Sequence, residues 1–491
     1  MDENKKSYNK LNPKLNPLHV WALAFGCIIG WGSFVNPGKK FLPNSGVAGT
    51  AIAMVLGAIV MMIIAFSYAY MVPKYPKAGG EYTFTKECCG KSLSFFCGWF
   101  LVAAYLTNVP MNSTAIGLIV DGLDGTADIL KFGFHYEIAG FEVYFGEMIF
   151  AMAILVLFGI LNIWGVKKAG AVQLILSGLL IASVFTLAVS VLLSGKSELS
   201  NMEPIWGFDK KAAMEAGATY KNIGEFANSG SIGILSAILA TFAIAPWAFV
   251  GFDTIPQAAE EFKFSHKKAI SIMIVAIVFG CFVYTSNNTI AAVVLKNWPD
   301  RVMAGDWVLL VAAEELLGVF GKVLVGVAVS SAVLSGIMGF YLAASRLMYS
   351  MATDGCLPLW LGKIDKKYET PKNAILFCII ISLSGPILGR EALGWFVDMS
   401  AIGASMGFFF TCASALVRIK KDNDGTVFMK TMAIIGAVFS VAFMFLQLIP
   451  IPGLSGVHFG KESYIMLAAW IFIGIVFYAI QKNHFSAENK A

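Results

Sequence analysis

The sequence predicts an all-α integral membrane protein with 12 transmembrane helices, and three observations carry that expectation. The chain has 491 residues of which 57% are hydrophobic and only 14% charged, with mean hydropathy +0.72; an ordinary soluble domain carries about 25% charged residues. Apolar stretches of the length a bilayer requires, about 20 residues, recur along the whole chain. Two of them, the first and the sixth, hold helix-breaking residues near their midpoints. They lie five spans apart, and an odd offset makes the second unit enter the membrane from the opposite side. Spans 1-5 and 6-10 are therefore expected to form a 5+5 inverted repeat with broken helices 1 and 6, leaving spans 11-12 outside it.

The elements follow in order. Residues 1–16 form a polar tail with Lys5, Lys6, Lys10 and Lys14, and it leads directly into the first span without the pattern of a cleaved signal. Spans 1 to 5 are expected near residues 17–42, 47–72, 92–121, 146–164 and 170–193. A mixed polar segment, 196–230, is too polar to span and is assigned as an external loop. Spans 6 to 10 are expected near 232–261, 269–295, 322–351, 373–388 and 394–417, with a short surface helix over 307–317 between spans 7 and 8. Spans 11 and 12 fall near 430–449 and 464–480. The predicted organisation is a tail (1–16), repeat one (17–195), an external loop (196–230), repeat two (231–418) and a final segment (419–491).

Lysine and arginine orient the chain. With the N-terminus inside, the inner segments hold clusters such as Lys74, Lys77, Lys86 and Lys91, or Lys363, Lys366, Lys367 and Lys372, and the outer segments hold half as many cations. Both termini are thus expected to be cytoplasmic. The net charge of +5 calls for no nucleic acid; the bilayer is the expected surroundings. The cysteines fall in spans or inner loops, so no disulfide framework is expected. No zinc site and no other cofactor is indicated by the five scattered histidines.

The first break is Phe25-Gly26-Cys27-Ile28-Ile29-Gly30-Trp31-Gly32-Ser33-Phe34. Its glycines lower the cost of leaving helical geometry. An opened helix in hydrocarbon survives only against protein or a water-filled cavity. Such glycines also suit close helix packing, and the second break decides between the two readings. It is Ala245-Pro246-Trp247-Ala248-Phe249-Val250-Gly251-Phe252-Asp253-Thr254-Ile255-Pro256. Paired breaks at corresponding positions point to a substrate site. Free N–H groups at Trp31–Ser33 suit a carboxylate and free carbonyls at Cys27–Ile29 suit an ammonium, with the same logic at Phe249–Gly251. A ligand carrying both charges would then find backbone partners for each without a dedicated salt bridge.

Four segments resemble the amino acid–polyamine–organocation (APC) family of permeases: Ile28-Ile29-Gly30-Trp31-Gly32-Ser33-Phe34; Pro76-Lys77-Ala78-Gly79-Gly80-Glu81-Tyr82-Thr83-Phe84; Phe249-Val250-Gly251-Phe252-Asp253 with Ala259-Glu260-Glu261; and the run from Ser345-Arg346 to Asp354-Gly355-Cys356-Leu357-Pro358, continued by Thr370-Pro371-Lys372-Asn373-Ala374. The resemblance covers spans 1 to 10. It implies the leucine-transporter fold, alternating access, and amino acids or related amines as substrates. The sequence departs from the family's pattern at Trp31, where a small residue is usual, and at Asp253, where Glu is usual. It lacks the prolines that often follow Glu261, and it lacks the span-5 lysine of some proton-coupled members, whose position falls near Leu180.

The candidate substrate-binding residues are Ile28, Ile29, Gly30, Trp31, Gly32, Ser33, Asn108, Trp247, Phe249, Val250, Gly251 and Phe252. The resemblance implies a substrate-stacking aromatic at Trp247, where packing is the alternative; a tryptophan face holds a cation with about 0.5–2 kcal/mol. Phe252 is a candidate gate or a core residue. Asn108 and Asn112 share one face of span 3, reading a substrate side chain or bonding neighbouring helices. The candidate coupling and gating residues are Asp253, Glu260, Glu261 and Arg346. Asp253 carries a proton or caps the second half of span 6. Glu260 and Glu261 with Lys263, Lys267 and Lys268, and Arg346 with Asp354, are expected to form an inner charge network. Ser330 and Ser331 are a candidate sodium pair by resemblance to sodium-coupled proteins of this fold, with small-residue packing as the alternative.

The expected function is secondary-active transport of an amino acid or amino-acid-derived amine across the plasma membrane, as a proton-coupled symporter or an exchanger. The partners are that small molecule and a proton or counter-substrate. A non-transporting sensor and a sodium-coupled symporter are the alternatives, and enzymatic activity is not expected.

Overall fold

A computed structural model describes residues 11–123, 129–138, 141–390, 392–451 and 458–488. Among these residues, ten helices are long and apolar enough to cross a membrane, and the shorter apolar helices Pro17–Ile28 and Lys372–Leu388 bring the spans to twelve. Most of the predicted tail lies outside the described residues; 11–16 are described.

Span 1 runs as Pro17–Ile28, opens over residues 29–31, resumes as Gly32–Asn36 and passes through a π-helical turn, Pro37–Phe41, into the long helix Leu42–Lys74 that contains span 2. Asn16 starts it, its side chain accepting from the His19 N–H at 2.8 Å, and Pro17 occupies the first turn, where its missing N–H costs nothing. Span 6 is Gly230–Phe242, Ala245–Phe249 and Thr254–Gln257, interrupted at 243–244 and again at 250–253. The remaining spans are Lys91–Gly122, Phe145–Ile163, Val166–Leu193, Ala269–Val294, Val319–Thr353, Lys372–Leu388, Ala392–Asp422, Val427–Leu448 and Lys461–Glu488.

Connections between spans hold structure that the sequence reading left as loops, besides the short helix it expected at 307–317. The segment after span 2 forms the helix Gly80–Cys89, which buries Glu81, Tyr82, Phe84 and Thr85 against spans 3 and 10. Between spans 3 and 4, His135–Ile138 and Phe141–Tyr144 pair as an antiparallel hairpin. The 307–317 helix is Val308–Leu317, preceded by Trp298–Ala304.

Burial separates an inner bundle from a periphery. The apolar stretches of spans 3 and 8 are 72% buried and that of span 10 is 67%, against 28% for span 11 and 17% for span 12. Span 12 is the least buried of these, and span 11 matches span 5 at 28%. Span 12 docks through Trp470, which stacks on Trp99 of span 3 at 4.6 Å. Each indole N–H of that pair donates to the other residue's carbonyl, at 2.9 and 3.1 Å.

Span 1 is the hub, because side chains from three spans and Trp307 bond to its carbonyls. Gln173 and Ser177 of span 5 donate to Ala22 O, Ser335 of span 8 to Gly26 O, Tyr284 and Asn287 of span 7 to Ile28 O and Ser33 O, and Trp307 to Phe34 O. Gly26 O and Ile28 O lie in the last turn before the break, where an unsatisfied carbonyl would cost several kcal/mol in hydrocarbon. The small residues of span 8 allow the close crossing: a Cβ on Gly339 would stand 2.1 Å from Cys27 Sγ.

Candidate substrate site at the paired breaks

The two breaks touch. Gly251 has φ of +141°, and a Cβ there would lie 2.5 Å from Ile28 N and 2.8 Å from the Cys27 carbonyl carbon. Only glycine accepts both the backbone conformation and this approach. The span-6 interruption is thereby pressed directly onto the end of the first half of span 1.

Around this crossing the candidates divide. Gly30 faces span 3, where a Cβ would meet Asn112 Oδ1 at 3.5 Å. Gly32 lies under Trp247, whose Cη2 would stand 2.3 Å from a Cβ. Trp31 and Trp247 face each other with centroids 6.2 Å apart and planes at 57°. Ser33 closes the turn, its hydroxyl donating to Gly30 O at 3.0 Å. Ile28 packs against Gly280 of span 7, and Phe249 against Gly57 of span 2 and Tyr284, so these two present only backbone to the crossing. Ile29 and Val250 are buried in the same core.

Asn108 turns away from the break. Its side chain donates to Ala104 O at 2.7 Å and to Ser400 Oγ of span 10 at 2.6 Å, which is the interhelical role. Asn112, one turn on, faces the break instead. Its amide donates to Asn108 O at 2.8 Å while its Oδ1 is buried without a partner. Trp31 Nε1 is likewise buried and unpartnered. A free acceptor and a free donor beside two helix interruptions form a polar set that a zwitterion can complete.

Phe252 is fully buried, stacked on Phe408 of span 10 at 5.3 Å and edge-on to Tyr68 of span 2 at 5.6 Å. Its ring is thus held between spans 2 and 10. A cavity of about 250 Å³ reaches Trp31 and Trp247 and is lined further by Lys40, Arg390 and Leu393.

Asp253 does not cap Thr254–Gln257. Its Oδ1 accepts from Gly251 N at 2.7 Å and its Oδ2 from the Tyr105 hydroxyl at 2.8 Å. The carboxylate thus folds back to hold the span-6 break.

The charge network on the N-terminal face exists with different partners from those expected. Arg346 is fully buried and pairs in fork geometry with Glu261, at 3.0 and 3.2 Å. Asp354 is taken by Lys86 at 2.5 Å and the Tyr82 hydroxyl at 3.0 Å. Both partners lie on the helix after span 2, which sequence alone does not bring alongside span 8. Glu260 accepts from Leu11 N and Ala78 N. Lys263 joins by its backbone N–H, which donates to Leu15 O, while Lys14 N and Leu15 N donate to Glu261 O. Lys14 also pairs with Glu369 and holds that carboxyl below the usual carboxylate range. Residues 11–16 thus strap the end of span 6 shut.

Ser330 and Ser331 line a groove with Leu123 and Val327. The span-8 hydroxyl that reaches a span-1 carbonyl is Ser335, one turn further along, donating to Gly26 O at 3.1 Å. The predicted serine pair is one helical turn out of register for a cation site shared with span 1.

The match to the amino acid permease family runs over residues 15–478. The chain belongs to the amino acid permease family. Among its relatives is the large neutral amino acids transporter small subunit 2 of Mus musculus, 27% identical over 76% of this chain. The Asc-type amino acid transporter 1 of Homo sapiens is 26% identical over 75% of it. The chain spans 64% of the length of each of these two. The branched-chain amino acid permease BcaP of Bacillus subtilis is 24% identical, and there the alignment covers 98% of this chain and 95% of the relative.

Proposed function

We propose that this permease-family protein carries an amino acid, or an amine derived from one, across the cell membrane by alternating access. The substrate sits where the breaks of spans 1 and 6 cross. The observation that carries the reading is the contact of Gly251 with the Cys27–Ile28 backbone, beside the unpartnered Trp31 Nε1 and Asn112 Oδ1. The lysine-rich N-terminal face is the cytoplasmic one. The names of the relatives support trying branched-chain and large neutral amino acids first.

The experiment is uptake by purified protein in liposomes, first with labelled leucine, isoleucine and valine, then with the other amino acids and their decarboxylated amines. Each is measured under a pH gradient, a sodium gradient and preloaded substrate. Flux under one of these conditions supports the transporter; specific binding without flux under any of them leaves only a sensor. Asp253 is proposed as the proton carrier, because an intramembrane carboxylate is costly and functional by default. Asp253→Asn is expected to remove the dependence of uptake on a pH gradient, and a dependence equal to wild type would eliminate Asp253 from coupling.

A further inference from the structure

The buried polar cluster beneath the span-6 break contains a second carboxylate. Glu81, on the helix after span 2, is fully buried. Its Oε1 accepts from the Tyr68 hydroxyl at 2.7 Å and its Oε2 from Gln257 Nε2 at 2.6 Å. Gln257 Nε2 also points at the Tyr105 hydroxyl, 3.4 Å away, and that hydroxyl donates to Asp253. Glu81 and Asp253 are therefore the two ends of one chain of hydrogen bonds, Glu81–Gln257–Tyr105–Asp253.

Every donor to the pair is neutral: two phenols, one amide and backbone N–H groups. The other titratable groups facing it are the thiols of Cys27 on span 1 and Cys97 on span 3, which bring no positive charge. Span 8 presents Phe340 against Tyr105, and span 10 presents Phe408 and Thr411 around Tyr68 and Phe252. The charged groups of the neighbouring inner elements are committed to each other, Arg346 to Glu261 and Lys86 to Asp354. Two carboxylates without a counter-charge in low dielectric disfavour double ionisation, and like charges sharing a site drive one of them neutral. Burial pushes the Glu81 carboxyl up, and the charge of Asp253 adds to it.

We propose that Glu81 and Asp253 form one proton site, holding a single proton between them across the Gln257–Tyr105 bridge. This deepens the coupling part of the proposed function and assigns a residue outside the spans to it. The next turn of the Glu81 helix, through Thr83, Lys86 and Glu87, lines an open cavity of about 910 Å³ on the N-terminal face. The proton site thus lies one helix thickness from water on that side, while its other end holds the substrate break.

The test is the infrared absorption of the purified full-length protein at neutral pH, read at the C=O stretch of protonated carboxylic acids. Wild type is expected to show such a band, shifted in deuterated water and lost in the Glu81→Gln/Asp253→Asn double variant. A band of unchanged intensity in the double variant would overturn the proposal. Tyr105→Phe keeps both carboxyls but removes a donor from Asp253, and it is expected to move the band's frequency. An unmoved band there would contradict the bridge even if the double variant failed to fold. The band needs no substrate, so it stands or falls separately from the amino-acid reading of the breaks.

Discussion

Replacing Arg346 with methionine is expected to destabilise the protein by about 3–5 kcal/mol, the cost of stranding a buried charge whose partner has been removed. Arg346 and Glu261 are 0% and 1% exposed. The guanidinium makes two bonds to the carboxylate and a third to Ser345 Oγ. Removing the arginine leaves Glu261 buried without a cation, at the point where residues 14 and 15 bond to its carbonyl. The double variant Arg346→Met/Glu261→Gln removes both charges and is expected to recover most of the loss, since replacing a whole buried pair by packed groups is often near neutral. Thermal unfolding in detergent reads both effects. Equal destabilisation in single and double variants would mean that the two side chains act independently. The double variant is also expected to populate the conformation open to the N-terminal face. Faster labelling of the native thiol of Cys27, buried at the crossing of the breaks, would report it.

Gly251→Ala is expected to lower substrate affinity at least tenfold, which is about 1.4 kcal/mol of binding. The added methyl meets two difficulties at once. The left-handed backbone at φ of +141° is strained for alanine by about 1–3 kcal/mol. The methyl also points into the backbone of Cys27 and Ile28 rather than into a side chain that can swing aside. The two breaks must separate, and the substrate's backbone partners separate with them. Gly178→Ala in span 5 is the matched control, since a Cβ there meets nothing within 4 Å and alanine favours a helix interior. It is expected to bind and transport like wild type. Comparable losses in both variants would place the Gly251 effect in general instability.

Much of the architecture is local and so is legible in the sequence. Spans announce themselves by apolar length, and the breaks by glycine and proline within those lengths. The spacing of Gly26, Gly30 and Gly32 against Pro246, Gly251 and Pro256 was enough to mark the crossing. What stayed hidden are pairings between distant segments. Asp354 follows Arg346 closely in sequence, yet they do not pair, because the helix Gly80–Cys89 brings Lys86 alongside. Asn108 and Asn112 look equivalent on one helix face, but only the second reaches the break, since Ser400 of span 10 takes the first. Glu81 reads as one position of a loop motif until the loop is seen as a helix with its first turn buried. A lone Glu between two glycines and a tyrosine gives no period to detect; the only hint was its place beside apolar and aromatic neighbours. Ser335, whose hydroxyl reaches the Gly26 carbonyl, was not singled out, because Ser330 and Ser331 were chosen by resemblance to sodium-coupled proteins of this fold and not by a contact with span 1.

The central claim, that the crossing of the span-1 and span-6 breaks is the substrate site, is most directly tested at Gly32. A side chain there must displace the Trp247 ring and crowd Asn36 Nδ2, 3.0 Å away, without disturbing the helix packing elsewhere. Thermal-shift titration with the amino acid found in the uptake panel is the measurement. Wild type is expected to show saturable stabilisation; Gly32→Leu is expected to remain folded and to show none. Unchanged affinity in folded Gly32→Leu would contradict the account.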